Sequence, residues 1–161
     1  MKRFITVMVC AVIALVYTDV VTAQSNSSAN VTVNVQSTLQ VSNLTGDLAF
    51  GNRMPDDIYV IPAAEGVNFR ISGASDVPVF VTYTSPGQLT GPFSDFVTFT
   101  PQVIGGQNSD GSDANDTGSE TPVTTDASGN YYLWLGGSIN VGNIRPGNYT
   151  GLFTVTVDYN L

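Results

Sequence analysis

Over residues 149–159 apolar and polar side chains alternate with a period of two. Tyr149, Phe153, Val155, Val157 and Tyr159 fall on one face, and Thr150, Thr154, Thr156 and Asp158 on the other. That is the period of a β-strand and not of a helix. A strand with one apolar and one Thr-rich face is covered on one side only, so the chain must supply a second layer to cover it. The same alternation recurs upstream. Val31, Val33 and Val35 alternate with Thr32 and Asn34, and Leu39 and Val41 flank Gln40. Val77, Val79, Val81 and Tyr83 oppose Phe80 and Thr82, and Val97, Phe99 and Val103 share a face of a strand running to Ile104.

No stretch after residue 23 carries a helical period. The chain there is rich in Val, Thr, Tyr, Phe and Ile, and it is broken by Gly, Pro, Asn and Asp. Turns are expected at Gly46-Asp47, Met54-Pro55-Asp56, Gly73, Ser85-Pro86-Gly87, Gly91-Pro92, Gly136-Gly137 and Arg145-Pro146-Gly147-Asn148. Short strands spaced by such turns specify an all-β, antiparallel sandwich or barrel. A membrane barrel fits less well, because apolar residues lie on both faces of several strands and the sequence closes on Leu161 instead of an aromatic residue.

Residues 1–23 read as a cleaved secretory signal. Lys2 and Arg3 precede an apolar run over residues 4–17, and Val21-Thr22-Ala23 offers small residues for cleavage after Ala23. The run falls short of the roughly 20 apolar residues that span a bilayer. Cys10, the single cysteine, leaves with the signal, and the residues before it do not form a lipoprotein site. The expected mature chain begins at Gln24, with 138 residues, no Cys and no Lys. Arg53, Arg70 and Arg145 face 12 acids, a net charge of −9 against −8 for the whole sequence. The expected location is extracellular or on the cell surface, reached through the periplasm.

This composition excludes whole classes of function. Without His there is no Ser-His-Asp triad and no imidazole metal site. The acidic balance argues against nucleic acid and against anionic membranes. A carboxylate-pair enzyme would draw on Asp56, Asp57, Glu65 and Asp95, but no spacing singles out a pair across a cleft. The chain reads as a non-enzyme without cofactors.

Residues 24–36 form an N-terminal extension, and residues 37–161 form one domain with a long acidic loop at 105–130. In that loop Asp110, Asp113, Asn115, Asp116 and Glu120 are weak candidates for a Ca2+ site, since the position of the bidentate Glu is held by Thr124. The bland reading is a solvated acidic loop. Just beyond it, alternation puts Tyr132 and Trp134 opposite Tyr131, Leu133 and Leu135. Tyr132 and Trp134 read either as a platform for a sugar ring or as packing, and a Trp in a sandwich strand is usually core. Asn-x-Ser/Thr sequons stand at Asn26, Asn30, Asn43, Asn115 and Asn148, and Asn115 is the candidate for glycosylation because Asp113 precedes it by two residues.

The patterns Leu48-x-Phe50-Gly51, Phe69-x-Ile71-x-Gly73, Leu135-Gly136-Gly137-x-Ile139 and Gly147-x-Tyr149-x-Gly151-x-Phe153-Thr154-Val155-x-Val157-x-Tyr159 resemble the bacterial domain-of-unknown-function family 4402. That family is similar to the spore coat protein U family, which contains the archaic chaperone–usher pilins. The resemblance implies a secreted immunoglobulin-like β-sandwich that serves as a pilin-like subunit of a surface fibre, with no catalytic residues to carry over. The chain departs from the archaic pilins in lacking their cysteines.

A mechanism follows from what the resemblance implies. A sandwich with a missing strand exposes core and unpaired backbone, which an extension of a neighbouring subunit can fill. Residues 30–36 have the required form, with Val31, Val33 and Val35 as donor-strand candidates and Tyr149, Phe153, Val155, Val157 and Tyr159 on the receiving strand. The partners would be other copies of the chain or related subunits, with a periplasmic chaperone and usher. The same residues could instead pair within their own domain, leaving a monomeric extracellular binding module for carbohydrate.

Overall fold

The computed structural model describes residues 30, 32–33 and 38–159. The elements below all lie in the compact unit Gln36–Leu161. The expected signal, residues 1–23, lies outside the described residues, as do Val31 and Val35; Val33 is exposed.

Among the described residues, ten strands and two short 3-10 turns make up this unit. The strands are β1 (Gln40–Asn43), β2 (Asp57–Ile61), β3 (Val67–Ser72), β4 (Pro78–Thr84), β5 (Gln88–Thr90), β6 (Phe96–Gly106), β7 (Asn115–Asp116), β8 (Thr121–Thr124), β9 (Asn130–Val141) and β10 (Thr154–Tyr159). The 3-10 turns are Ala63–Glu65 and Pro92–Ser94. The protein is therefore all-β, and every pairing is antiparallel. No helix among the described residues is long and apolar enough to cross a membrane.

The larger sheet runs β1-β3-β9-β6-β5, with β2 on β9 and β7 on β6; the smaller runs β10-β4-β8. One core lies between them. The larger sheet contributes Val67, Ile71, Val97, Phe99, Val103, Tyr131, Leu133, Leu135, Ile139 and Val141, and β4 contributes Val79 and Val81. The alternation of the sequence explains this set, because inward positions recur every second residue on β3, β4, β6 and β9. The outward neighbour Phe80 is 36% exposed while Val79 and Val81 are sealed at 0%.

β9 is the spine. Its first half pairs with β3, from Val67 opposite Leu135 to Ser72 opposite Asn130, and its second half pairs with β2, from Ile61 opposite Gly137 to Asp57 opposite Val141. Between these ladders the chain bulges out through the Ala63–Glu65 turn and returns. Gly136 and Gly137 sit opposite that bulge, in the interior of β9. This corrects the expected turn at Gly136-Gly137. A Cβ on Gly136 would overlap the Ile61 carbonyl and the Ala63 backbone, and one on Gly137 would overlap the Thr100 carbonyl. The glycines permit close backbone approach within a strand and do not reverse the chain.

Two more expectations change. The segment 105–130 is not one loop: it holds the end of β6, all of β7 and β8, and the buried Thr117 and Thr125. Its acids make turns. The Asp113 carboxylate accepts the backbone N–H groups of Gln107 and Asn108, Asp110 accepts that of Ser112, and Asp126 accepts those of Ser128 and Asn130. Short polar side chains mimic backbone in this way, so a turn-rich segment looks like an open loop in sequence. Second, the last strand does not begin at Tyr149. Thr150 bridges Thr90, the last residue of β5, with bonds of 2.8 and 3.0 Å, and the chain then crosses to the other sheet at residues 151–153 before β10 begins.

Candidate functional site

Three places in the fold carry the residues that the sequence singles out. The first is the seam between β1 and β10, the edge strands that lie on one side of the two sheets. β10 pairs with β4 along its full length, from Thr154 opposite Thr84 to Tyr159 opposite Val79. Among the described residues no strand pairs with its other edge. Its inward residues Val155, Val157 and Tyr159 are half-buried, as are Leu39 and Val41 across the seam. By contrast Val79, Val81 and Ile71, deeper between the sheets, are fully buried. Phe153 anchors the start of the seam, stacked on Tyr83 at 5.3 Å and tilted against Phe69 at 6.3 Å. Tyr159 anchors its end, where its hydroxyl accepts the Ala74 N–H at 2.9 Å. Four of the five expected receiving-strand residues thus line one row, and Tyr149 stands apart from them.

Tyr149 belongs to the second place, the corner before the crossing. Its hydroxyl donates to the Arg145 carbonyl at 2.7 Å. Burial pushes its phenol up from the ordinary value. Arg145 in turn clamps the Pro92–Ser94 turn. Its guanidinium makes two 2.7 Å bonds to Asp95, reaches the Phe93 carbonyl at 3.4 Å and lies 4.3 Å from the centre of the Phe93 ring. Those bonds hold the Asp95 carboxyl below the usual carboxylate range. Asp95 is therefore the ion-pair partner of Arg145. Phe93 and Ser94 both have positive φ, 57° and 64°. Left-handed backbone costs a non-glycine residue on the order of 1–2 kcal/mol, so two in succession need such a clamp.

The third place is the turn over residues 107–114 on the outer face of the larger sheet. Alternation along β9 places Tyr131, Leu133 and Leu135 in the shared core. Trp134 faces the other way and is still only 6% exposed, because Gly111 lies over its ring. Tyr132 packs beside it with ring centres 6.1 Å apart. Trp134 is thus neither shared core nor a bare platform. The expected calcium residues do not converge either. Both Asp113 oxygens are taken by backbone N–H groups, and among the described residues no three acids or other metal-binding side chains gather. Asn115 is exposed, its amide nitrogen donating to the Asp113 carbonyl at 2.7 Å, and its sequon partner Thr117 is buried.

Sequence reasoning missed the clamp. The segment Arg145-Pro146-Gly147-Asn148-Tyr149 reads as a turn followed by a strand, and only the placement of Asp95 and Phe93 next to it gives Arg145 its role.

The fold defined by these observations is an antiparallel, sandwich-like all-β domain. The chain belongs to the family described as Domain of unknown function (DUF4402), whose model matches residues 15–159. No curated protein and no solved structure matches it.

Proposed function

We propose that the domain is an immunoglobulin-like sandwich that lacks its last strand, and that it is a structural subunit of an exported surface fibre. In a sandwich of that class four strands in the order A-B-E-D face a sheet containing C, F and G. The order β1-β3-β9-β6 reads as the first sheet, with β2 as a continuation of B, and β4 and β10 read as C and F. The hydrogen bond from Tyr149 to a carbonyl four residues upstream supports the assignment, because a tyrosine at the corner before strand F makes such a bond. Strand G would then lie on the outer edge of β10.

The edge of β10 that no described strand pairs, beside a half-buried apolar row, carries this reading. An incoming strand would gain ladder hydrogen bonds and cover Val155, Val157 and Tyr159. Residues 30–36 suit the task, with Val31, Val33 and Val35 on one face. Three valines would contribute roughly 1.5–3 kcal/mol each on burial, before the cost of ordering the segment. Donation to a neighbouring copy builds a chain of subunits; a periplasmic chaperone would cover the edge before assembly.

The test is to express the full chain, purify the exported form and measure its size with and without mild denaturant. Fibre subunits form large species that persist, and deletion of residues 24–36 abolishes them. A full-length protein that stays monomeric at high concentration, with residues 31–35 paired in their own sheet, overturns the reading.

A further inference from the structure

A shallow cleft of about 360 Å3 opens on the outer face of the larger sheet, where β9 diverges from β6. Phe96, Ile144, Ser94, Asp95, Thr98 and Asn140 line it together with Gly142. It lies away from the β10 edge and away from Trp134, and the fibre reading makes no use of it. Four observations give it the character of a binding site.

Its apolar wall is an exposed aromatic ring. Phe96 is 52% exposed on the outer face, whereas Val97 and Phe99 on the neighbouring positions of β6 are buried in the core. Its rim is polar and unengaged: the side chains of Ser94, Thr98 and Asn140 bond to no other described residue. They offer two hydroxyls and an amide, hence donors and acceptors together. Each Asp95 oxygen takes one bond from Arg145 and keeps acceptor capacity besides.

The rim is also held rigid. The successive positive φ values at Phe93 and Ser94 are maintained by the Arg145 clamp, so Ser94 and Asp95 stand in a fixed position without a ligand. Strained backbone held in this way concentrates at sites that must be pre-organised. Finally, the lining includes a glycine that the backbone does not require. Gly142 has no positive φ, and a Cβ there would meet nothing within 4 Å. Any residue could occupy the position, and a larger one would fill the cleft.

We propose that this cleft binds the pyranose ring of a neutral saccharide. A sugar ring presents a C–H face that packs on an aromatic ring, and adjacent hydroxyls that both donate and accept hydrogen bonds. The cleft supplies the matching parts, with Phe96 and Ile144 for the ring face and Asn140, Thr98, Ser94 and Asp95 for the hydroxyls. Charge selects against acidic sugars. Asp95 neutralises Arg145, the one cation beside the cleft among the described residues, and the whole chain carries a net charge of −8. The volume matches the small end of ligand sites.

The test is binding of the full chain to an array of neutral oligosaccharides of glucose, galactose, mannose and N-acetylglucosamine, with sialylated and uronate-containing glycans on the same array. Binding to at least one neutral series is expected, weakened tenfold or more in Phe96→Ala and in Asn140→Ala and abolished in Gly142→Leu. Thermal unfolding accompanies each variant. If Gly142→Leu is destabilised, Gly142→Val replaces it, and the exposed Asn140→Ala keeps the test independent of folding. Leu44→Ser, an exposed position just past β1 and across the sheet from the cleft, should bind like the parent. The inference is overturned by absence of neutral-glycan binding, by preference for the acidic glycans, or by binding that survives the cleft-filling and Asn140→Ala changes. Particle size is read separately, so failure of sugar binding and failure of fibre assembly are distinct results.

Discussion

The hydroxyl of Tyr149 donates to the carbonyl of Arg145, four residues upstream and 2.7 Å away. That bond closes the corner at which the chain leaves the larger sheet for the smaller one. It also fixes the backbone of the arginine that clamps the Pro92–Ser94 turn. Tyr149→Phe keeps the ring and removes the bond. The expected result is a lower midpoint of urea unfolding with an unchanged β-sheet circular dichroism spectrum. Arg145→Ala should lower it further, because the bonds to Asp95 and the Phe93 carbonyl go too. Equal midpoints for Tyr149→Phe and the parent would show that the corner holds without the hydroxyl.

Thr125 is fully buried, and its Oγ1 donates to the Ala74 carbonyl at 2.6 Å and accepts the Val77 N–H at 3.1 Å. It ties the connection before β4 to the end of β8. Thr125→Val matches its shape but leaves both backbone groups short of a partner, which should cost about 1–3 kcal/mol. Thr125→Ser should recover most of that loss. Urea titration of the three proteins measures it.

Acid stability should follow the carboxylates with engaged oxygens. The Arg145 guanidinium holds the Asp95 carboxyl low, and backbone N–H bonds from Asn108 and Gln107 do the same for Asp113, as that of Ser112 does for Asp110. A carboxyl lowered in the folded state stabilises it above the unfolded pKa, and that contribution is lost as pH falls through the folded value. With no His in the chain, thermal stability should stay level between about pH 5 and 8 and decline below about pH 4. Asp113→Asn should flatten part of the decline. High salt should weaken the Asp95 share, which rests on an exposed ion pair, more than the Asp113 share, which rests on hydrogen bonds.

Trp134 is the one tryptophan of the sequence and is covered by Gly111. Its emission should be blue-shifted and poorly quenched by acrylamide. Asp113→Ala removes the carboxylate that pins residues 107 and 108, and the turn over the indole should loosen. A red shift with increased quenching, at unchanged far-ultraviolet circular dichroism, is the expected reading. Unchanged emission would mean that the cover does not depend on Asp113.

The sequence announces strands that are covered on one face. Val79, Val81, Val97 and Phe99 fall inward where the period of two puts them, and Val155, Val157 and Tyr159 share a face as expected. It hides strands whose ladder is made by polar or unusual residues. β8 reads Thr-Pro-Val-Thr, and Pro122 weakens any strand assignment, yet a proline is tolerated at an edge. Gly136 and Gly137 look like a turn because glycine punctuates chains, and only the return of β2 and β3 to the same side of β9 reveals their use. Trp134 reads as core because a Trp in a sandwich strand usually is, although its period sets it opposite Leu133 and Leu135; the cover that buries it is not visible in its own segment. The cleft at Phe96 was illegible for the same reason: Phe96, Asn140 and Gly142 meet only through sheet pairing.

The position of β9 in the chain has a consequence for the order of events during folding. β2 and β3 are made long before β9 and have no mate for their β9-facing backbone until residues 130–141 arrive, and β1, made earlier still, depends on β3. Pairings so distant along the chain close slowly. During that interval Val67, Ile71 and their neighbours are bare to other nascent chains. A protein built in this way completes its sheets in one late event, once the whole spine is available.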